Sequence, residues 1–255
     1  MRLQSERMLG YLIGGAAITG LCAAGYQSMA PTGQWFGRTF TGLEHGAKKL
    51  ALTYDDGPSD PTTLELIEVL GKHDVHATFF MIGRYVQRHP DIARAVAAAG
   101  HVIGNHTFTH PNLIFSSTLQ TRLQIEECTR SLTDAVGKHS RLFRPPFGGR
   151  MPRSLSIARS LQLEPIMWNV TGWDWNTPSA EHVEHKVSNQ IRGGDVILLH
   201  DGSHLRPDVD RGHTVRATDR LIARYKAEGY EFVTIPEMMG KKALLSEPKS
   251  FAKTT

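Results

Sequence analysis

Cysteine is scarce in this chain: Cys22 and Cys128 are the only two among 255 residues. One falls in an N-terminal apolar run and the other in an amphipathic helical pattern, so no disulfide is expected. Neither has the spacing of a zinc–cysteine site. No Lys/Arg run interleaved with aromatics is present, which sets nucleic acid aside as a partner. Internal repeats and low-complexity tracts are absent as well. The formal net charge of +4 comes from scattered residues, and such mild basicity reads as solvated surface rather than as a docking face for an anionic polymer. At this length the chain builds one large domain or two small ones.

Charge is missing altogether between Met8 and Met29, while Arg2 and Arg7 precede the run. About 20 helical residues cross a hydrocarbon core, and flanking arginines stay on the cytoplasmic side. Residues 1–30 are therefore expected to be an N-terminal membrane anchor, with a cleaved signal sequence as the rival reading. Either way the remainder is exported: outside the cytoplasm and membrane-anchored, or secreted if the segment is cleaved. Residues 31–46, with Pro31, Gly33, Gly37, Gly42 and Gly46, read as a linker. Residues 47–240 form the catalytic domain and 241–255 a polar tail.

Within that domain, apolar strand-like runs sit near 48–54, 76–82, 101–104, 141–144, 164–170, 195–200 and 230–234. Helical patterns lie between most of them. Pro61 opens one with Leu64, Ile67 and Leu70 as its stripe. Pro90 opens another that Gly100 closes, Ser117 and Gln120 form a capping box, and Ser179 starts a further helix. Seven strands alternating with helices predict a parallel α/β barrel or sheet.

The reactive residues fall at the strand ends. Asp55 and Asp56 follow the first strand, His106 and His110 the third. Arg144 closes the fourth, Asp174 follows the fifth and His200 closes the sixth. In α/β barrels the C-terminal strand ends carry the active site. Neighbours on a strand point opposite ways, so one aspartate can bind a metal while the other handles a proton. Histidines four apart share one face of a helical turn, and with a carboxylate such as Asp56 they make a His, His, Asp set suited to zinc. His200 ends an apolar strand as a candidate general acid. Arg144, before a Pro-Pro-Phe-Gly-Gly turn, can hold Asp55 ionised. Trp168 reads as core, Trp173 and Trp175 as walls of a sugar-sized pocket, and Asp174 as a support for Arg144 or His200. Asp201 reads as a turn residue. The other histidines (His45, His73, His76, His89, His101, His139, His182, His185, His204 and His213) lack convergent partners and are read as surface or structural.

Five ordered segments together resemble the polysaccharide deacetylase family, the NodB-homology domain of carbohydrate esterase family 4, over roughly Lys48 to Met238. They are Thr53-Tyr54-Asp55-Asp56-Gly57-Pro58, His106 to His110, Arg144 to Gly148, Trp173-Asp174-Trp175, and Leu198-Leu199-His200. The resemblance implies a deformed (β/α) barrel of about seven parallel strands and metal-dependent removal of N-acetyl groups from an N-acetylhexosamine polymer of the cell envelope. Peptidoglycan and chitin-like oligosaccharide are the substrates it suggests. It implies one divalent ion on Asp56, His106 and His110, zinc first and cobalt, nickel or manganese as alternatives. Asp55 would be the general base, His200 the acid toward the departing amine, and Arg144 the group that orients Asp55. A backbone N–H near Phe147 would serve the oxyanion and Leu198 would line the acetyl pocket. Tyr54, Pro146, Gly148, Trp173 and Trp175 would also meet substrate. One departure stands out: where the fourth motif often has Asp-x-x-Asp-Trp, Thr171 takes the first position. The family's usual carboxylate for the catalytic histidine is then missing, and His200 is expected to be held differently. Two other readings compete: a hydrolase of a non-sugar amide or cyclic ureide, and a non-catalytic glycan-binding protein. No protein partner is expected.

Overall fold

The computed structural model describes residues 19–20, 22–137, 141–176 and 179–240. Residues 1–18 of the expected anchor, the tail 241–255 and His139 lie outside the described residues. Among the described residues no helix is long and apolar enough to cross a membrane; residues 22–29 are helical.

Eight short strands build the sheet: β1 (Lys49–Asp55), β2 (Thr78–Met81), β3 (Val102–Asn105), β4 (Leu142–Phe143), β5 (Glu164–Pro165), β6 (Val170–Thr171), β7 (Asp195–His200) and β8 (Glu231–Phe232). The helices around it are α1 (Thr62–Lys72), α2 (Gly83–Arg88), α3 (Pro90–Ala98), α4 (Thr118–Val136), α5 (Pro152–Ser160), α6 (Ala180–Ser188), α7 (Gly212–Ala227) and α8 (Ile235–Met238). Seven strands follow one path, β5-β4-β3-β2-β1-β7-β6, and β8 pairs with the first residues of β1. All the strand pairings are parallel, so the sheet is a curled, incomplete barrel with helices outside.

Burial on both faces explains the apolar strands. On β1 the even positions Leu50, Leu52 and Tyr54 join the cluster beneath the helices, with Leu66, Val96, Leu132, Val183 and Leu221. Odd position Ala51 turns into the barrel, with Phe80, Leu142, Met167, Val196 and Leu198. By this alternation Asp55 also points inward, and so does His200, two residues after Leu198. The buried residues of α1 are Thr62, Thr63, Leu66 and Leu70; of the expected stripe Leu70 is buried, Ile67 packs half-buried against the core and Leu64 is half-buried. The helix starts at Thr62, and the i, i+4 row from that residue faces the sheet. The Ser117–Gln120 capping box is present, the Ser117 hydroxyl accepting from the Gln120 N–H, a cap of about 1 kcal/mol.

The expected strand at 164–170 is two strands, because the chain there crosses the barrel's opening: β5 pairs with β4, and β6 with β7. Residues 40–43, within the stretch read as a linker, span the same opening. The Phe40 N–H donates to the Pro165 carbonyl, the Met167 N–H to the Phe40 carbonyl, and the Leu43 N–H to the Gly194 carbonyl.

Candidate active site

β1 and β7 run in a register that places Asp55 beside His200, so one inward-facing acid and one inward-facing imidazole sit on adjacent strands. Arg144, fully buried, donates through Nη1 to Asp55 Oδ1 at 2.8 Å and to Thr53 Oγ1 at 2.8 Å, and through Nη2 to the Met167 carbonyl at 3.1 Å. Its guanidinium lies 4.2 Å over the Phe80 ring. The sequence-based pairing of Arg144 with Asp55 is thus present, as a single charge-assisted bond from a guanidinium that Thr53 and Met167 also hold in place. Burial pushes the Asp55 carboxyl up from its ordinary range, against the pull of Arg144 and His200. That direction suits a group meant to accept a proton.

Strand alternation predicts that Asp56 points away from Asp55. It does not, because Asp56 leaves the strand with φ of 74°, a left-handed conformation that aspartate tolerates better than most residues. This turn brings both carboxylates to one pocket, and His106 Nε2 lies 3.7 Å from Asp55 Oδ2 and 3.6 Å from Asp56 Oδ1. The next residue is glycine for a packing reason: a Cβ at Gly57 would collide with the carboxylate of Asp201. Asp201 is therefore more than a turn residue. It is buried, accepts from Thr63 Oγ1 at 2.6 Å, and burial pushes its carboxyl up to about 7.

His106 and His110 converge as expected but not on a helical turn. Residues 106–110 form a loop in which Thr107 and His110 both have positive φ, 66° and 63°. Side chains supply the missing helical bonds: Asn105 Oδ1 accepts from the Thr107 N–H and Thr107 Oγ1 from the His110 N–H. His106 Nδ1 donates to the Arg144 carbonyl at 2.8 Å, which leaves the Nε2 lone pair facing Asp56. Burial lowers His106 to about 4 and His110 to about 3. Both rings are then neutral near pH 7, the form a metal requires. Asp56 Oδ1, buried, has no hydrogen-bond donor, and His110 Nε2 stands 3.2 Å from it. Burial would raise Asp56, but the His204 hydrogen bond and the pull of His110, His200 and His106, all cationic at the low pH where it would take a proton, hold it well below the usual carboxylate range. One donor atom from each of Asp56, His106 and His110 lies within 4.8 Å of the others. An anionic oxygen without a donor, facing two imidazole nitrogens, fits a divalent cation.

Across the pocket Asp174 holds His200. Its Oδ1 lies 2.9 Å from His200 Nδ1, and its Oδ2 accepts from the His200 N–H at 2.7 Å and from Thr214 Oγ1 at 2.9 Å. The Asp174 carbonyl accepts from Arg211 Nη1, with His213 Nε2 at 2.8 Å. Burial works against the imidazolium, yet Asp174, with help from Asp56 and Asp55, outweighs it and pushes His200 up to about 9. The expectation that Thr171 deprives His200 of its carboxylate is therefore corrected: Asp174 itself is that carboxylate. The Thr171 hydroxyl accepts from the Trp173 N–H instead.

The aromatic rim divides. Trp173 and Trp175 are exposed and 5.1 Å apart, and Trp175 meets the His200 ring edge-on at 5.0 Å. Phe147, exposed on the other side, has φ of 58° between buried Pro146 and Gly148. Leu198 lies buried in the barrel directly below His200. Tyr54 is not at the site. Being an even position of β1 it faces the helices, where it stacks on Phe79 at 5.0 Å and bonds Thr218 Oγ1 at 2.9 Å. Sequence reasoning also missed His204, His213 and Thr214, all from the stretch after β7 that bore no readable pattern. Periodicity carries no trace of a residue that acts through its loop's path.

The family described as polysaccharide deacetylase matches residues 42–166. A peptidoglycan-N-acetylglucosamine deacetylase of Bacillus cereus is 36% identical over 192 residues, covering 74% of this chain and 68% of the relative. A chitooligosaccharide deacetylase of Azorhizobium caulinodans is 34% identical over 203 residues, 76% of this chain and 96% of that one. A solved structure of a peptidoglycan N-acetylglucosamine deacetylase superposes with a TM-score of 0.73 at 33% identity, covering 83% of this chain and 94% of the other.

Proposed function

The chain belongs to the polysaccharide deacetylase family, carbohydrate esterase family 4, and on that footing we propose that it hydrolyses the N-acetyl groups of an N-acetylhexosamine polymer of the cell envelope. The observation that carries this reading is the pairing of two opposed proton-handling groups across one cluster of metal donors. Asp55, fixed by Arg144 at 2.8 Å, and His200, fixed by Asp174 at 2.9 Å, are strand neighbours beside Asp56, His106 and His110.

In this mechanism Asp56, His106 and His110 would hold a divalent ion, zinc by the preference of two imidazoles and a carboxylate. When bound it supplies Lewis acidity toward the attacking water and the acetamide carbonyl. Asp55, aimed by Arg144, takes a proton from that water. A backbone N–H near Phe147 donates to the oxygen that gains charge as the carbonyl carbon becomes tetrahedral. His200, protonated at neutral pH and steadied by Asp174, gives its proton to the sugar nitrogen as the C–N bond breaks. The products are acetate and the free amine. Trp173 and Trp175, next to His200, present flat apolar faces to a sugar ring.

The peptidoglycan and chitooligosaccharide relatives support a glycan substrate of this type. We further assign the catalytic domain to the outside of the cytoplasm, tethered through residues 1–30, on the strength of Arg2, Arg7 and the uncharged run that follows. The test is acetate release by the full chain with zinc, on peptidoglycan and on N-acetylglucosamine oligomers, with Asp55→Ala as control. Release from one substrate identifies the polymer. No release from either, with zinc bound, overturns the deacetylase reading. Recovery of the intact N-terminus in the membrane fraction tests the tether.

A further inference from the structure

His204 lies on the loop after β7, and its placement is overdetermined for a surface histidine. Its backbone N–H donates to Asp56 Oδ2 at 3.2 Å, and its ring Nδ1 stands 3.5 Å from the same oxygen. Asp56 Oδ1 faces the other way, toward His110 Nε2 and His106 Nε2 at 3.2 and 3.6 Å. The two oxygens of one carboxylate are thus divided between two sets of partners. The His204 ring also stacks on His110, with centroids 4.5 Å apart and planes 23° from parallel. Phe147 meets both rings edge-on, at 4.9 and 4.5 Å. Behind it, the carbonyl of His204 accepts from Arg84 Nη2 at 2.6 Å and lies 3.3 Å from the Tyr85 hydroxyl, which donates to the Ser203 carbonyl at 3.0 Å. A helix of the scaffold, α2, therefore pins the loop where the histidine leaves it.

We infer that His204 is a positioning residue for the metal ligand Asp56: it engages Oδ2 and its ring backs His110, so that Asp56 offers the cation Oδ1 alone. This rests on the metal-dependent reading above. A carboxylate free to swing would present both oxygens and occupy a coordination position that water or the acetamide needs. A one-oxygen carboxylate leaves that position open, and outer partners of this kind typically change metal affinity by about 10–100-fold when removed.

The test is zinc affinity, measured on the full chain by competition with a chromophoric chelator, for wild type and three variants. His204→Ala is expected to weaken zinc binding by about tenfold or more. His204→Asn, whose amide nitrogen takes the place of Nδ1, recovers most of the loss. His204→Phe keeps the stack on His110 and the backbone N–H but offers no side-chain N–H to Oδ2, and stays weak. Cobalt(II) absorption gives a second readout: the d–d bands of the Ala and Phe variants are expected to shift as Asp56 turns toward two-oxygen binding, with the Asn variant following wild type. Near-ultraviolet dichroism checks that each variant is folded. Four equal affinities, within about twofold, and unchanged cobalt bands overturn the role of His204 while leaving the metal reading intact. Full affinity in the Phe variant with a loss in Ala overturns the division of the carboxylate and leaves stacking alone. A wild type that binds neither zinc nor cobalt overturns the metal reading itself.

Discussion

Asp55 and Asp174 are both buried carboxylates paired with a cationic side chain, at 2.8 and 2.9 Å, yet their environments drive them in opposite directions. Burial raises both. At Asp55 it wins, over Arg144 and His200 and with the charge of Asp56 adding to it. At Asp174 the charge of His200 and hydrogen bonds from His200 and Thr214 overcome it. The difference lies in what else each oxygen touches. Asp174 has donors on both oxygens and stays an anion, so it can keep a proton on its partner. Asp55 keeps one oxygen toward the pocket and the second carboxylate beside it. One arm stores negative charge, and the other is ready to lose it to a proton.

The sharpest way to break this contrast is Asp55→Asn. It is expected to cost about 10²–10⁴-fold in kcat while zinc affinity changes little, since the asparagine retains volume and Asp56 is untouched; parallel kinetic and zinc titrations check this. Equal collapse of both quantities would merge the two roles.

Asp174→Asn comes next, with a loss of about 10²-fold in kcat and a moved pH profile. His200 sits at about 9 against an ordinary 6.5, so wild-type activity should fall as pH rises through about 9. In the variant, burial acts with less opposition and the fall moves to lower pH. The same shift carries a stability sign. The His200–Asp174 pair stabilises the fold fully below about 6.5 and ceases to do so as pH passes about 9. A melting-temperature series across that window, lost in the variant, is the check.

Thr214→Val removes one of Asp174's donors, a bond worth about 1 kcal/mol. It should lower kcat several-fold and shift the alkaline fall slightly in the same direction. Smallest is Thr171→Asp: Asp174 already serves His200 and an aspartate oxygen can still accept from the Trp173 N–H, so kcat/KM should stay within about twofold of wild type. A large gain would mean that His200 lacks a carboxylate after all.

Much of this was readable in the chain. The alternation of apolar runs and helices predicts a parallel α/β barrel or sheet, and the placement of Asp55, His106, Arg144, Asp174 and His200 at strand ends predicts one site. What escaped it was set by backbone turns and by distance. The left-handed conformations at Asp56, Thr107 and His110 reverse or bend side-chain directions that strand and helix periods predict. Tyr54 went astray for the converse reason: its motif suggested the site, while simple alternation on β1 sends it to the helices. His204 is recognisable only once α2 is known to hold its loop. The break at Ile166–Asn169 escaped because an apolar run gives no sign of the gap it crosses.

The central position of β1 also governs when the molecule can form. Its first residues pair with β8, Leu50 with Phe232, and its whole length with β7, Leu50 with Asp195 through Asp55 with His200. A strand made early in synthesis thus waits for partners made near the end, and closing such long loops is entropically costly and slow. Strands β1 to β5 lie side by side and can pair as they emerge, while the other edge of β1 stays open until β7 and β8 are made.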